Sequence, residues 1–132
     1  MTKMKLNRLR SSKDVLQKDL RDPEFRAEWE RTALARAIAS EVIAYRVEQG
    51  LSQTALAERL GMKQPAVARL EAGDVTPTIE TLQRLVRVLD REIVIDVVPP
   101  QREPMLVTKR AQTSRAVEKI EAEDYSLLIA AG

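Results

Sequence analysis

The chain has 132 residues, enough for one compact domain with a tail or two. It contains neither Cys nor His, which excludes disulfides, thiol chemistry and zinc sites of the usual ligand sets, and removes the commonest general base. With four glycines, no phosphate-cradling loop and a formal charge of only +2, the composition favours a binding protein over an enzyme and implies no cofactor and no metal.

Charge is uneven along the chain. Residues 1–21 carry Lys3, Lys5, Arg8, Arg10, Lys13, Lys18 and Arg21 against only Asp14 and Asp19, so this stretch is strongly positive and the remainder is net acidic. Such an arm reads either as a polyanion contact or as a solvated terminus. No apolar run approaches the ~20 residues needed to span a bilayer, and the basic N-terminus lacks an apolar signal core. A cytoplasmic protein with no membrane partner is expected.

Residues 1–10 are expected to be disordered, with Ser12 capping a short helix through about Leu20 whose apolar edge is Val15, Leu16 and Leu20. Asp22-Pro23 is a helix start, a capping carboxylate followed by proline in the first turn. Helical spacing then runs with little interruption to about Gln49, placing Leu34, Ile38, Val42 and Tyr45 on one face. Phe25 and Trp29 extend an apolar edge upstream, on the same helix or on a separate one before a kink. Gly50 ends this segment.

Ser52 caps a helix over about 53–60 that Gly61 closes, and the next runs from about Lys63 to Ala72 with Gly73 as its stop. Thr78 caps a further helix with Ile79, Leu82, Leu85, Val86 and Leu89 on its inner face. The period then changes. Glu92 to Val98 is rich in β-branched residues, ends at Pro99-Pro100 and reads as a strand. A lone strand needs a partner, and the expected one is its own copy in a second subunit, with Ile93, Ile95 and Val97 as dimerisation residues. Residues 99–112 read as a linker and Thr113 to Glu123 as helical, while the apolar close Tyr125 to Gly132 is suited to joining a sheet or docking on a partner.

The segment 50–78 has the features of two helices packed at a steep angle through a short turn. Ala57 is small where the backbones must approach, Gly61 tolerates positive φ four residues later, and Val67 and Leu70 anchor the second helix beside Leu56 and Leu60. An ordinary helical hairpin is the bland alternative.

Residues 46–90 resemble the Cro/C1-type, or XRE, family of helix-turn-helix proteins through Arg46, Gly50-Leu51-Ser52-Gln53, Leu56-Ala57, Leu60-Gly61, Gln64-Pro65, Val67, Arg69-Leu70-Glu71, Gly73 and Pro77-Thr78. The resemblance implies an all-α fold: a five-helix Cro/C1 domain over residues 34–91, with extra helices in 1–33, a dimerisation strand at 92–98 and a tail over 99–132. It also implies that the helix from Lys63 enters the major groove of double-stranded DNA while the preceding helix crosses the backbone. The DNA-binding residues would be Gln53, Lys63, Gln64, Pro65, Ala66 and Arg69. Gln53 would hold a phosphate at a helix N-terminus. Gln64 suits adenine, Arg69 guanine and Ala66 the thymine methyl, while Lys63 would reach a base or a phosphate. For Arg69 a solvated surface role is the alternative. Arg46 and Glu71 would form a structural ion pair tying the first helix of the domain to the third. Lys63, Ala66 and Ala68 depart from a pattern in which Ser or Thr is frequent, so the recognition helix lacks the usual capping side chain.

The surroundings of the motif are similar to HigA-type and HipB-type antitoxins. That similarity implies a protein that represses its own operon as a homodimer on a palindromic operator and neutralises a RelE/HigB-like toxin. Phe25 and Trp29 would then be partner-binding residues, since aromatics dominate interface hot spots; the alternative is that their rings cap the core. A stand-alone regulator without a toxin is the second reading, and a pure protein-interaction module is the third.

Overall fold

The computed structural model describes residues 14–102 and 115–132, in two units that divide between Arg31 and Thr32. The expectations for residues 1–10, Ser12 and most of the 99–112 linker lie outside the described residues.

In the first unit, α1 covers residues 14–19 and α2 covers Pro23–Arg31. Asp22 starts α2 as its carboxylate accepts the Glu24 N–H at 3.1 Å. α2 has no buried residue; it carries the i,i+4 pair Arg26–Glu30 at 3.0 Å and the i,i+3 pair Arg31–Glu28 at 2.5 Å. The hydrogen bond from Arg31 holds the Glu28 carboxyl below the usual carboxylate range. Phe25 and Trp29, one turn apart, stack with centroids 6.3 Å apart and rings inclined by 19°.

The second unit begins after a break between α2 and the next helix, so of the two arrangements expected upstream the separate helix is the one observed. Thr32 leaves helical geometry at φ −93°, ψ 8°, and its hydroxyl accepts from Arg36 Nη1 at 2.6 Å. α3 (Ala33–Glu48), α4 (Gln53–Leu60), α5 (Gln64–Ala72) and α6 (Ile79–Leu89) follow. Their apolar faces meet in one core of Ile38, Val42, Leu56, Ala57, Leu60, Val67, Leu70, Leu85 and Leu89, with Leu34, Tyr45 and Leu82 packed against it. Each such fully buried aliphatic side chain contributes about 1.5–3 kcal/mol through area removed from water. Ile79 and Val86 depart from the expected inner face of α6: Ile79, in its first turn, is 70% exposed, and Val86 is half-buried outside the core cluster, which takes Val88 instead.

Three strands complete the unit: β1 (Ile93–Val98), β2 (Arg115–Glu121) and β3 (Ser126–Ala131). The sheet order is β1-β3-β2 with both pairings antiparallel. The fold among the described residues is therefore six helices with a small antiparallel sheet, not all-α. Two local expectations change with it. β1 is not solitary in its own chain, since β3 pairs with it from Ile93–Ala131 to Val98–Ser126. The segment from Thr113 to Glu123 is a strand over 115–121 rather than a helix. Its Ala, Glu and Lys content suits a helix, but β3 between two neighbours has two ladders of backbone groups to satisfy, and pairing overrides local preference.

α3 contacts both layers. Ala33, Ala35, Ala37 and Ala39 are buried along it, and these small side chains let neighbours approach closely. A Cβ at Gly73, just past α5, would lie 3.3 Å from Ala39 Cβ, and Gly73 has φ +71°. The sheet is tied to the helices by charge. Arg36 Nε meets Glu118 of β2 at 3.1 Å. Arg91, between α6 and β1, meets Glu41 at 2.6 Å and Glu48 at 3.0 Å, both on α3. The hydrogen bond that Arg91 donates to the nearly buried Glu41 carboxylate raises the Arg91 guanidinium above its ordinary value.

Candidate nucleic-acid interface

The α4–turn–α5 unit is assembled by local chemistry at each end. Ser52 Oγ accepts the Ala55 N–H at 3.1 Å and starts α4. Gly61 ends it at φ 66°, ψ 33°, with Met62 N–H on Ala57 O at 2.9 Å and Gly61 N–H on Glu58 O at 3.2 Å. This paired closure satisfies carbonyls that the helix end would otherwise leave without partners. Arg84 of α6 donates to Gly61 O at 2.8 Å, so the turn is also held from outside. Ala57 and Val67 are buried inside the angle between the two helices. A larger side chain at either would push the helices apart.

α5 presents its start to solvent. Lys63 is its cap residue without a side-chain capping bond, and Pro65 stands in the first turn, where its missing N–H costs nothing. Lys63, Gln64, Pro65 and Arg69 are exposed, Ala66 is half-buried, and Val67 and Leu70 point into the core. The outward side of α5 is thus polar and open, while its inward side is anchored.

A chain of hydrogen bonds runs from the interior to this surface. Arg46 Nε lies 2.7 Å from Glu71 Oε1, and the Glu71 side chain is only 6% exposed. Arg46 Nη1 also donates to Leu51 O at 3.2 Å, across the α3–α4 turn. The second Glu71 oxygen accepts from Gln53 Nε2, and Gln53 Oε1 accepts from Gln64 Nε2 at 2.9 Å. Both carboxylate oxygens are therefore used, and each glutamine amide is oriented by its neighbour. Gln64 keeps its second N–H and its carbonyl oxygen for a ligand.

Of the residues named from sequence, the structure brings Arg46, Glu71, Gln53 and Gln64 into one network. Lys63, Pro65, Ala66 and Arg69 surround its outer end on the same helix or its cap. Ile93, Ile95 and Val97 lie on β1 and take no part in it. Phe25 and Trp29 belong to the first unit. Sequence reasoning missed the turn-holding role of Arg84 and the role of Gln53 as a bridge between two side chains. Neither had a local signal, because their partners lie 11 to 24 positions away.

Among the described residues, no group of three or more Asp and Glu side chains is placed to hold a metal ion, and no helix is long and apolar enough to cross a membrane.

A family profile described as helix-turn-helix matches residues 42–95, the span from the middle of α3 into β1. The chain is 38% identical over 72 residues to the antitoxin HigA1 of Mycobacterium tuberculosis, covering 54% of this chain and 48% of that protein. It is 39% identical over 59 residues to an uncharacterized HTH-type transcriptional regulator of Haemophilus influenzae, covering 45% of this chain and 60% of the relative. A regulator of the same description from Methanothermobacter thermautotrophicus is 38% identical over 53 residues, 40% of this chain and 77% of its own length. The chain thus spans about half the length of the HigA1 antitoxin it matches. With the matched span containing the capped α4–turn–α5 unit and 77% of the length of the Methanothermobacter relative covered, the chain belongs to the XRE-type helix-turn-helix family of DNA-binding regulators.

Proposed function

We propose that the protein is an antitoxin that represses its own operon by sequence-specific DNA binding and neutralises a RelE/HigB-like toxin, acting in the cytoplasm as a homodimer and as a binder rather than a catalyst. The observation that carries the DNA-binding half is the Gln64 amide, exposed at the start of α5 and tethered through Gln53 to the buried Glu71–Arg46 pair. A pre-oriented amide with one N–H and one carbonyl to spare matches adenine N7 and N6. Arg69 lies further along the same exposed side and suits guanine O6 and N7; Lys63 suits a base or phosphate, and Ala66 a thymine methyl. Gln53 contributes to a phosphate site through the free N-terminal turn of α4, its own amide being engaged by Glu71 and Gln64. Two copies would meet half-sites of a palindrome about one DNA turn, ~34 Å, or a multiple apart.

The toxin-binding half is supported by the similarity to antitoxin HigA1 and by the Phe25–Trp29 stack on α2, a helix with no buried residue. The two relatives described as transcriptional regulators favour the second reading, a stand-alone regulator without a toxin.

Replacing Gln64 and Arg69 by Ala tests the first half. Each substitution is expected to cost about 1–3 kcal/mol of discrimination between operator and unrelated DNA at fixed salt. Equal affinity of parent and double variant for the operator would defeat it. Co-expression with the neighbouring gene product tests the second half: a toxic neighbour whose toxicity this chain leaves unrelieved would reduce the protein to a stand-alone regulator.

A further inference from the structure

The recognition helix α5 is not held equally along its length. Toward its end Glu71 takes Arg46 of α3 and Gln53 of α4 on its two oxygens. Midway, Val67 has no exposed surface. The start of α5, where Lys63 and Gln64 stand, lies about 10 Å from Glu71 along the axis at 1.5 Å per residue. It follows within three residues of the Gly61 turn. The direction in which the chain leaves that turn therefore sets where the Gln64 amide sits, and the Gln64–Gln53 bond joins side chains that can swing with it.

The end of a helix leaves carbonyls without partners inside the helix. At the end of α4, Ala57 O and Glu58 O accept from the Met62 and Gly61 N–H groups. Leu60 O and Gly61 O both face one side chain of α6: Arg84 Nη1 lies 2.8 Å from Gly61 O and 3.4 Å from Leu60 O. A guanidinium there also has the favourable sign for the dipole of α4. It covers the glycine as well, since a Cβ at Gly61 would lie 3.6 Å from Nη1. Glu80, one turn before Arg84, meets Nη2 at 3.4 Å and aims the group. Just before α4 starts, Arg46 Nη1 donates to Leu51 O at 3.2 Å. Each end of α4 thus has a guanidinium on a backbone carbonyl, one from α3 and one from α6.

We propose that Arg84 is a positioning residue for DNA recognition: it fixes the direction in which α5 leaves the Gly61 turn and so sets operator specificity without touching DNA. The inference rests on the reading of Gln64 and Arg69 as base-facing residues and adds the residue that keeps them in place. Paired hydrogen bonds to a base edge need their donors and acceptors held within about 0.5 Å, so a small change at the turn is felt as lost discrimination. Two other roles exist for an arginine whose side chain is 36% exposed. A phosphate contact would strengthen binding to any duplex and steepen its salt dependence. A surface ion pair with Glu80, itself 76% exposed, would matter little to anything. Neither role accounts for the two turn carbonyls that Nη1 faces.

The test compares binding of the full chain to two duplexes, one carrying the region upstream of its own reading frame and one with that sequence shuffled. Binding is measured over a series of salt concentrations, at a temperature where circular dichroism shows every variant folded. Arg84→Met keeps an apolar stem over Gly61 and removes the donors. It is expected to lower the preference for the upstream duplex about tenfold, with affinity for the shuffled duplex and the salt slope unchanged. Arg84→Lys, which keeps the charge, is expected to fall between parent and Arg84→Met. Arg84→Gln, whose amide nitrogen ends two bonds short, takes the place of Arg84→Met if that variant does not fold, with the same outcome expected. Added to Gln64→Ala with Arg69→Ala, Arg84→Met is expected to change the preference by less than about twofold, because nothing remains to be positioned. Equal losses on both duplexes, with a salt slope smaller by about one, would make Arg84 a phosphate contact and overturn the proposal. A lower melting temperature with the preference intact would reduce Arg84 to a structural residue and overturn it as well. A parent that binds both duplexes alike would overturn the base reading and the positioning together, whereas a parent preference that Arg84→Met retains overturns the positioning alone.

Discussion

The helical and sheet halves of residues 32–132 are held by different forces. Helices α3 to α6 close around a continuous aliphatic core in which Val42, Leu56, Val67 and Leu85 have no exposed surface. Among the described residues the sheet buries much less: Ile120, Ile129, Ala130 and Ala131 are covered, and two of these four are alanines. What it lacks in apolar area it makes up in ionic ties to α3, through Glu118–Arg36 and through Arg91 to Glu41 and Glu48. The lesson is that stability and placement are separable here. Burial sustains the DNA-binding unit, whereas directional charge pairs fix where the sheet sits on it.

Four substitutions break or sharpen that contrast. Leu85→Ala removes the most completely buried leucine of α6 and leaves a cavity among helices that cannot all relax; a loss of about 2–5 kcal/mol is expected in urea unfolding. Arg91→Met should follow closely, about 3 kcal/mol, because Glu41, with a side chain 4% exposed, would keep a buried charge without its guanidinium. The two differ in where the damage falls. Hydrogen exchange should rise through all four helices in the first case, and first in β1 and β3 in the second. If Arg91→Met instead loosened the helices before the strands, the separation of roles would be wrong. Gly73→Ala is expected to cost about 1–2 kcal/mol, since a Cβ there meets both a positive φ and Ala39 at 3.3 Å; thermal unfolding reads it. Lys119→Ala, which breaks a pair exposed by 63% and 72%, should change stability by less than about 0.5 kcal/mol.

The same division governs how much was legible beforehand. The caps at Ser52 and Thr78 and the left-handed residues Gly61 and Gly73 stand where their neighbours require them, because a capping oxygen or a positive φ acts within four residues of chain. The aliphatic stripe Leu34–Ile38–Val42–Tyr45 likewise follows from helical period, with Ile38 and Val42 in the core and Leu34 and Tyr45 packed against it. A break upstream of the Leu34 stripe was one of two alternatives, but its place at Thr32 was not legible, since nothing in the local sequence opposes a helix. The Thr32 geometry accompanies contacts made by Arg36, which reaches both the Thr32 hydroxyl and Glu118. In the candidate interface, the inward anchors Val67 and Leu70 followed from spacing, and the outward residues of α5 from the family resemblance. The bridge through Gln53 did not, because it joins three elements.

By itself, then, the order of residues determined the helices of the DNA-binding unit, their ends apart from the start of α3, and most of the face each turns inward, since these depend on interactions within about a turn of chain. Only the tertiary structure decided that Arg115 to Glu121 is a strand, that β3 rather than a second copy takes one side of β1, and that Glu71 serves two partners at once. Backbone groups and buried charges have to be satisfied by whatever lies beside them in space, and neighbours in space are not written in any local pattern.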